Sequence, residues 1–417
     1  MTDELAQMRE RLATGVIAAT RIGSEHVAAA LHAVPRHLFL PEQPPEAAYR
    51  DDAIVTKRDE TGQPISSSSQ PAIMAIMLDQ LDLATGQRVL EIGAGTGYNA
   101  ALLSHIIGPS GQVTSVDIDP ELAGRAREHL ASAGFGEVSV VCADGAGGYP
   151  PRAPYDRIIA TVGVSDLAPA WLAQAAPGAR IVAPLDVRGT QMSVAFERAP
   201  AGPWTSRSLA PCGFMRMRGA LAGPERLVLL AHGLALLLPD GTPEVDPQAV
   251  NALLAGPSVP HPTEVRAGAA QVFWGLGLWL AARETRSCRL NEERPAGPHD
   301  APGGLLAGAP LRSPGLHSTL GLLDGDGLAV LTSAPAGERP GPLMIGTAGF
   351  GPRAANLAAE LAAHVLAWDE AGRPGIAGLH VDAYPRGAGA GPADRSQWPG
   401  DALIMERPGT RFAVYRD

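Results

Sequence analysis

In the stretch VLEIGAGTGYNA, three glycines, Gly93, Gly95 and Gly97, stand directly between an apolar β-branched run and a helical one. Glycines there let the backbone turn tightly and approach a ligand that a Cβ would exclude. Carboxylates stand in register with that turn. Glu91 lies inside the preceding run, Asp117 with Ile118 closes the next one in VTSVDID, and Asp144 with Gly145 closes a third in VVCADG. Asp117 follows the glycines by about 20 residues, where a carboxylate can accept both hydroxyls of a ribose. Asp144 and Gly145 would then lie along an adenine edge. The spacing is G-x-G-x-G and not the dinucleotide pattern G-x-G-x-x-G, so a nucleoside ligand without a pyrophosphate is favoured, and S-adenosylmethionine fits. The plainer alternative is that Asp117 and Asp144 merely cap the helices that follow them.

A second cluster is GQPISSSSQP, where Ser66 to Ser69 run between two prolines. Serine runs are commonly solvated linker. This one leads straight into an apolar stretch, AIMAIMLDQL, so it is either a spacer or a loop whose hydroxyls do chemistry.

The elements that must position these residues follow from periodicity. Residues 1 to about 85 carry apolar positions at helical spacing in LAQMRERLATGVIAA and EHVAAALHAV, where Pro35 ends the pattern. From 86 to about 215, short β-branched runs (RVLEIG, QVTSVDI, VSVVCAD, YDRIIATVG, ARIVAPL) alternate with helical ones (YNAALLSHIIG, PELAGRAREHLASAG). That alternation marks βαβ units on a parallel sheet. Residues 216 to 417 shift toward Gly, Pro, Ala and Leu and read as an added domain. Within it RLVLLAHGLALLLPDG reads as a strand pair, residues 291 to 318 as a long loop, and AANLAAELAAHVLAWDEAG as a helix closed by Gly372.

Composition excludes several classes. The 417 residues are 45% hydrophobic, enough to bury two cores. Lys and Arg number 33 against 43 Asp and Glu, with no basic cluster, which argues against nucleic acid as a partner. Cys142, Cys212 and Cys288 are odd in number and widely spaced, so neither a disulfide framework nor a metal site is expected. The N-terminus has mixed charges and no long apolar core, and the run VFWGLGLWLAA is too short for the ~18 residues of a membrane span. A cytoplasmic setting follows. His26, His32, His37 and His105 read as structural or exposed, and Cys142 as buried in a strand. Trp274, Trp279 and Trp368 read as core, although an exposed aromatic there could grip a peptide.

The motifs AALHAVPRHLFLPE, AYRDDAI, GQPIS…SQP, VLEIGAGTGYNAALLS, VVCADG, APYDRIIATVG and PGARIVAPL, in that order, resemble the protein-L-isoaspartate O-methyltransferase family over residues 20 to about 215. The resemblance implies a class I S-adenosylmethionine-dependent methyltransferase, Rossmann-like α/β, with N-terminal helices and here an added α+β C-terminal domain. It also implies that the loop ending in Ser-Gln-Pro carries the active-site hydroxyl, which matches Ser69, with Ser67 and Ser66 as neighbouring candidates. A carboxylate nucleophile has an unperturbed pKa of about 4 and needs no general base. Orienting it is what remains, and orientation can supply up to ~7 to 11 kcal/mol of a barrier.

Two departures, the charged insertion VTKRDETGQPISSSSQP and the long C-terminal addition, together with CGFMRMRG, make the chain similar to the family's relatives in ribosomally made peptide pathways, particularly the lanthipeptide-associated (FxLD) kind. That likeness implies methylation of an aspartate side chain in a modified, macrocyclic precursor peptide, leading through a succinimide to isoaspartate, with S-adenosylhomocysteine as coproduct. The alternatives are repair of isoaspartyl residues in damaged proteins and a non-catalytic cofactor-binding partner subunit.

Overall fold

The structure is a computed structural model and describes residues 2–199, 202–293, 305–306, 308–313, 316–335, 341–387, 398 and 400–416. It forms two compact units, Met1–Leu185 with Gln191–Gly223 and His380–Asp417, and Asp186–Thr190 with Pro224–Leu379.

The first unit opens with α1 (Thr2–Thr20), α2 (Glu25–Ala33) and a single turn, α3 (Pro45–Ala48). A hairpin follows, β1 (Ile54–Arg58) antiparallel to β2 (Pro64–Ser68). Then come α4 (Pro71–Leu81), β3 (Arg88–Ile92), α5 (Tyr98–Ile107), β4 (Gln112–Asp117), α6 (Pro120–Ser132), β5 (Ser139–Cys142) and β6 (Tyr155–Ala160). Next are α7 (Pro169–Gln174), β7 (Ala175–Val187), β8 (Thr190–Arg198) and β9 (Trp204–Pro211). Strands β3 to β7 pair in parallel. Four of the five residues of β3 are buried, as a strand covered on both faces requires. Helix α6 starts sharply because the Asp119 carboxylate accepts the Glu121 and Leu122 N–H groups and Pro120 occupies the first turn.

The second unit contains β10 (Arg226–Leu229), β11 (Leu234–Leu238), α8 (Pro247–Ala255) and β12 (Ser258–Ala267). A helical stretch runs from α9 (Ala269–Gln271) through a wider turn into α10 (Gly277–Arg283). Then follow β13 (Ser287–Glu293), β14 (Leu311–Ser313), β15 (Leu316–Asp324), β16 (Gly327–Pro335), β17 (Leu343–Phe350) and α11 (Ala354–Glu370). The sheet order is β10-β11-β13-β15-β16-β17-β12, with β14 on β15, and its strands pair antiparallel among the described residues. Helix α11 buries Leu357, Leu361, Val365 and Trp368 in this unit's core. It ends as expected at Gly372, whose positive φ lets its N–H and that of Arg373 reach the Asp369 and Trp368 carbonyls.

The last strands, β18 (Leu379–Pro385), β19 (Leu403–Glu406) and β20 (Thr410–Arg416), return to the first unit. They complete a sheet of order β19-β20-β18-β9-β8-β7-β6-β3-β4-β5. The division at 216 therefore differs from the structure. Residues 380–417 belong with the N-terminal half because β18 pairs with β9, a long-range match that periodicity does not encode. They also brace the segment after β6: Arg407 Nε donates to the Ser165 carbonyl at 3.1 Å, and the Asp166 carboxylate accepts the Gly409 N–H at 2.6 Å.

Other expectations also shift. The ends of the 291–318 segment are strand (β13, β14 and β15), while 294–304, 307 and 314–315 lie outside the described residues. Cys142 is exposed, because it is the last residue of β5 at the edge of the sheet. Trp368 is fully buried, and Trp274 and Trp279 are half-buried. His26 and His105 are exposed, His32 meets Glu10 at 2.8 Å and His37 meets Tyr49 at 2.7 Å.

Candidate active site

Strand order reverses at β3, with β4 and β5 to one side and β6 and β7 to the other. Ligands of open α/β sheets bind beyond the carboxyl ends of strands at such a point. A cleft of about 890 Å³, open mouth included, lies there. Of the residues expected from sequence it is lined by Ser66, Ser67, Ser69, Gly93, Gly95, Asp117, Ile118 and Gly145.

Gly93 has φ +101°, and a Cβ there would sit 2.7 Å from Thr161 Oγ1, so the wall is closed to any other residue. Asp117, 7% exposed, accepts the Gly95 N–H and the Asp119 N–H, each at 3.0 Å. A carboxylate has about four acceptor positions, which leaves capacity for ligand hydroxyls. Ile118 stands beside it with 36% of its surface exposed, an apolar face suited to a flat ring. A turn closed to side chains, a carboxylate with acceptor capacity to spare and an apolar neighbour fit the nucleoside of S-adenosylmethionine.

The serine run is neither linker nor loop for most of its length. Ser66 to Ser68 belong to β2, and the strand's two-residue period buries Ser66 and Ser68 while leaving Ser67 and Ser69 more open. The Ser66 hydroxyl receives that of Thr56 at 3.0 Å, which ties it to the hairpin.

Two groups that sequence reasoning passed over hold the Ser69 turn. Arg36, fully buried, donates to the Ser69 carbonyl at 3.0 Å and to the carbonyls of Ala48, Arg50 and Asp52 at 2.8 to 3.0 Å. Burial lowers its pKa, and the nearby Tyr98, Asp51 and Asp52 oppose that shift. The Asp51 carboxylate accepts from Gln70 Nε2 at 3.0 Å and from the Ala72 N–H at 2.8 Å. The inserted Lys57 reaches from the hairpin to Asp119 at 2.8 Å and Glu121 at 2.7 Å, latching β1 to the start of α6. Its hydrogen bonds to Asp119 and Glu121 raise its pKa.

Three expected cofactor residues stand away from the cleft lining. Glu91 is fully buried behind it, where it accepts from Asn99 Nδ2 at 2.8 Å and from the Ser115 hydroxyl. Burial pushes its carboxyl up to about 7 despite those two bonds. Gly97 turns the chain into α5 against Leu130. Asp144 follows the plainer reading: its carboxylate accepts the Ala146 N–H at 2.9 Å and the Ala220 N–H at 2.8 Å.

The sequence reading also passed over Thr161, Val162 and Phe214 to Arg218 as cleft residues. The signal was present in CGFMRMRG, but its place depends on pairing. Gly163 and the 215–217 segment exchange backbone bonds, Gly163 N–H to Met215 and Met217 N–H to Gly163, both at 2.8 Å. Among the described residues no cluster of His, Cys, Asp and Glu could hold a metal ion, and no helix is long and apolar enough to cross a membrane.

Known proteins resemble this chain over its N-terminal half. Residues 7–220 match the family model "Protein-L-isoaspartate(D-aspartate) O-methyltransferase (PCMT)". A protein-L-isoaspartate O-methyltransferase of Methanopyrus kandleri is 40% identical over 212 residues, 51% of this chain and 91% of the relative. One from Ignicoccus hospitalis is 36% identical over 212 residues, 51% of this chain and 97% of the relative. A solved structure titled protein-L-isoaspartate O-methyltransferase aligns at TM-score 0.49 and 23% identity, over 90% of this chain and 96% of that one. With the family model spanning just over half of the chain, and the Methanopyrus and Ignicoccus relatives covered over nine-tenths of their length, this protein belongs to the protein-L-isoaspartate O-methyltransferase family and is an S-adenosylmethionine-dependent O-methyltransferase of Rossmann-like α/β fold.

Proposed function

We propose that the enzyme methylates the free carboxylate of L-isoaspartyl residues in proteins and peptides, the first step of their repair. The observation that supports this reading most is that one cleft is lined both by Ser67 and Ser69 and by Asp117 with the glycine turn. S-adenosylmethionine, when bound, supplies an electrophilic methyl group. Asp117 and the Gly93–Gly95 backbone hold the nucleoside end. The Ser69 hydroxyl donates to the substrate carboxylate and fixes its angle, and the Arg36 and Asp51 bonds keep that hydroxyl's backbone from drifting. The carboxylate is ionised at neutral pH, so no side chain has to remove a proton. The relatives at 36 to 40% identity carry the name of this activity, which adds to the reading.

A second reading is methylation of an ordinary aspartate in a modified, constrained precursor peptide. What favours it is the Pro224–Leu379 part of the second unit, which lies beyond the matched residues 7–220. An enzyme that must reject nearly all aspartates needs contacts remote from the reacting group. The test is to incubate the full chain and cofactor with a linear isoaspartyl peptide, with its aspartyl twin and with a cyclic aspartyl peptide. Methyl transfer to the isoaspartyl peptide alone is expected. No transfer to it, with transfer to a cyclic aspartyl peptide, would replace repair with the second reading.

A further inference from the structure

In the second unit, β13 carries Ser287 and Arg289 two residues apart and so on one face of the strand. Both border a recess of about 300 Å³, open mouth included. Among the described residues, Ser287 Oγ and Arg289 Nε are shut off from solvent and have no hydrogen-bond partner. Buried polar groups are nearly always hydrogen-bonded, and an unmade bond at a charged group is the costliest case. Two such donors facing one recess call for an acceptor that enters from outside the chain.

The surroundings narrow what that acceptor is. Arg188 and Thr190 also border the recess, and Leu280 and Leu320 supply apolar wall. The Arg289 guanidinium carbon lies 4.8 Å from the centre of the Phe273 ring, within cation–π reach. Asp186 offsets part of the charge of Arg289, whose basicity burial lowers. Yet Asp186 accepts the Gly189 N–H at 2.7 Å and leaves Arg289 Nε without an acceptor.

We propose that this recess is a carboxylate-binding site that takes the C-terminal carboxylate of a peptide. Arg188 already donates to the Ala281 carbonyl at 3.0 Å, so the donors for an oxyanion are Arg289 Nε and the Ser287 hydroxyl, and a planar guanidinium suits a flat, two-oxygen one. A planar carboxylate can bring both oxygens to one guanidinium edge, whereas a tetrahedral phosphate carries further oxygens that the apolar wall of Leu280 and Leu320 would leave without partners. The proposal concerns the second unit by itself and stands whichever substrate the first unit methylates.

The experiment is calorimetric titration of the full-length protein, in low-chloride buffer, with an N-acetylated tripeptide acid, with the same tripeptide as its C-terminal amide, and with inorganic phosphate. The acid is expected to bind at least ten-fold more tightly than the amide or phosphate. Arg289→Gln should weaken the acid at least ten-fold and Ser287→Ala several-fold, with unfolding still cooperative. Ser287→Ala removes only one hydroxyl and keeps the test decisive if the arginine variant fails to fold. Equal uptake of acid and amide, uptake of neither, tighter phosphate binding, or undiminished acid binding by Ser287→Ala would overturn the assignment.

Discussion

The Arg36 guanidinium donates to the main-chain carbonyl of Ser69 at 3.0 Å, so a fully buried cation from the residues after α2 sets the backbone that presents the candidate catalytic hydroxyl. Arg36 satisfies four carbonyls with one planar fork, a geometry that an ammonium cannot copy. Arg36→Lys keeps the charge and loses most of those bonds, at about 1–3 kcal/mol for each carbonyl left buried and unmade. Urea unfolding should show that loss. Turnover should fall with it while S-adenosylhomocysteine affinity holds, and unchanged turnover in a folded variant would show that the clamp is structural only.

The serine run separates by face. Ser69→Ala should lower turnover ten-fold or more, equivalent to about 1.4 kcal/mol of barrier, with cofactor affinity unchanged. Ser68 is buried, and its hydroxyl accepts from Arg36 at 3.4 Å. Ser68→Ala should therefore show in unfolding before it shows in kinetics. Steady-state assay beside urea unfolding of the two variants distinguishes these outcomes, and a fully active Ser69→Ala would remove Ser69 from the chemistry.

Asp117 has two duties, since its carboxylate also accepts the Gly95 and Asp119 N–H groups. Asp117→Asn keeps one carbonyl oxygen and loses the charge. Cofactor affinity should weaken by about 1.5–3 kcal/mol for one charged hydrogen bond. Asp117→Ala removes the support of the glycine turn as well and should also lower the melting temperature. Calorimetry with S-adenosylhomocysteine reads the first effect and thermal unfolding the second. Wild-type affinity in Asp117→Asn would remove the ribose assignment.

Burial raises the Glu91 carboxyl to about 7 from its ordinary 4.5. A raised carboxyl pKa favours the folded state while the group is protonated. Its contribution is complete below about pH 4.5 and is lost as pH rises through about 7. Glu91→Gln, neutral at every pH, should flatten the stability profile between those values. Urea unfolding at pH 5 and pH 8 checks it, and an unaltered slope in the variant would place the titration elsewhere.

The Lys57 latch predicts where the hairpin is weakest. Asp119 and Glu121 have pKa values below the usual range, Glu121 mainly through its hydrogen bond to Lys57 and Asp119 because hydrogen bonds from Lys57 and the α6 backbone outweigh its burial. The latch is thus present above ordinary carboxylate pKa values and is lost as pH falls through the lowered ones. Lys57→Met should speed amide exchange across Ile54–Ser68 at neutral pH and leave that of β3 and β4 unaltered. Unchanged exchange in the hairpin would show the latch to be without effect.

The parallel core was legible because its signals are local. Buried strands such as RVLEI read as continuous apolar runs, Asp119 and Pro120 mark the start of α6, and Gly372 marks the end of α11. The glycine turn and Asp117 were legible for the same reason, since both lie at strand ends within one βαβ unit. Three further features depended on partners distant in sequence. Arg36 reads as one arginine among many until its acceptors converge around it. Asp144 at a strand end looks like a ligand group until its carboxylate turns to the Ala146 and Ala220 N–H groups, outside the cleft lining. Strands β18 to β20 join the first unit because β18 pairs with β9 and Arg407 and Gly409 find Ser165 and Asp166, all partners far away in sequence. The sequence by itself determined the periodicities, the caps and the turn, because each is settled within a few residues by backbone sterics and local hydrogen bonds. The tertiary structure alone decided which carboxylates face the cleft and which strands close the sheet, because those outcomes depend on long-range pairing and on which buried groups find partners.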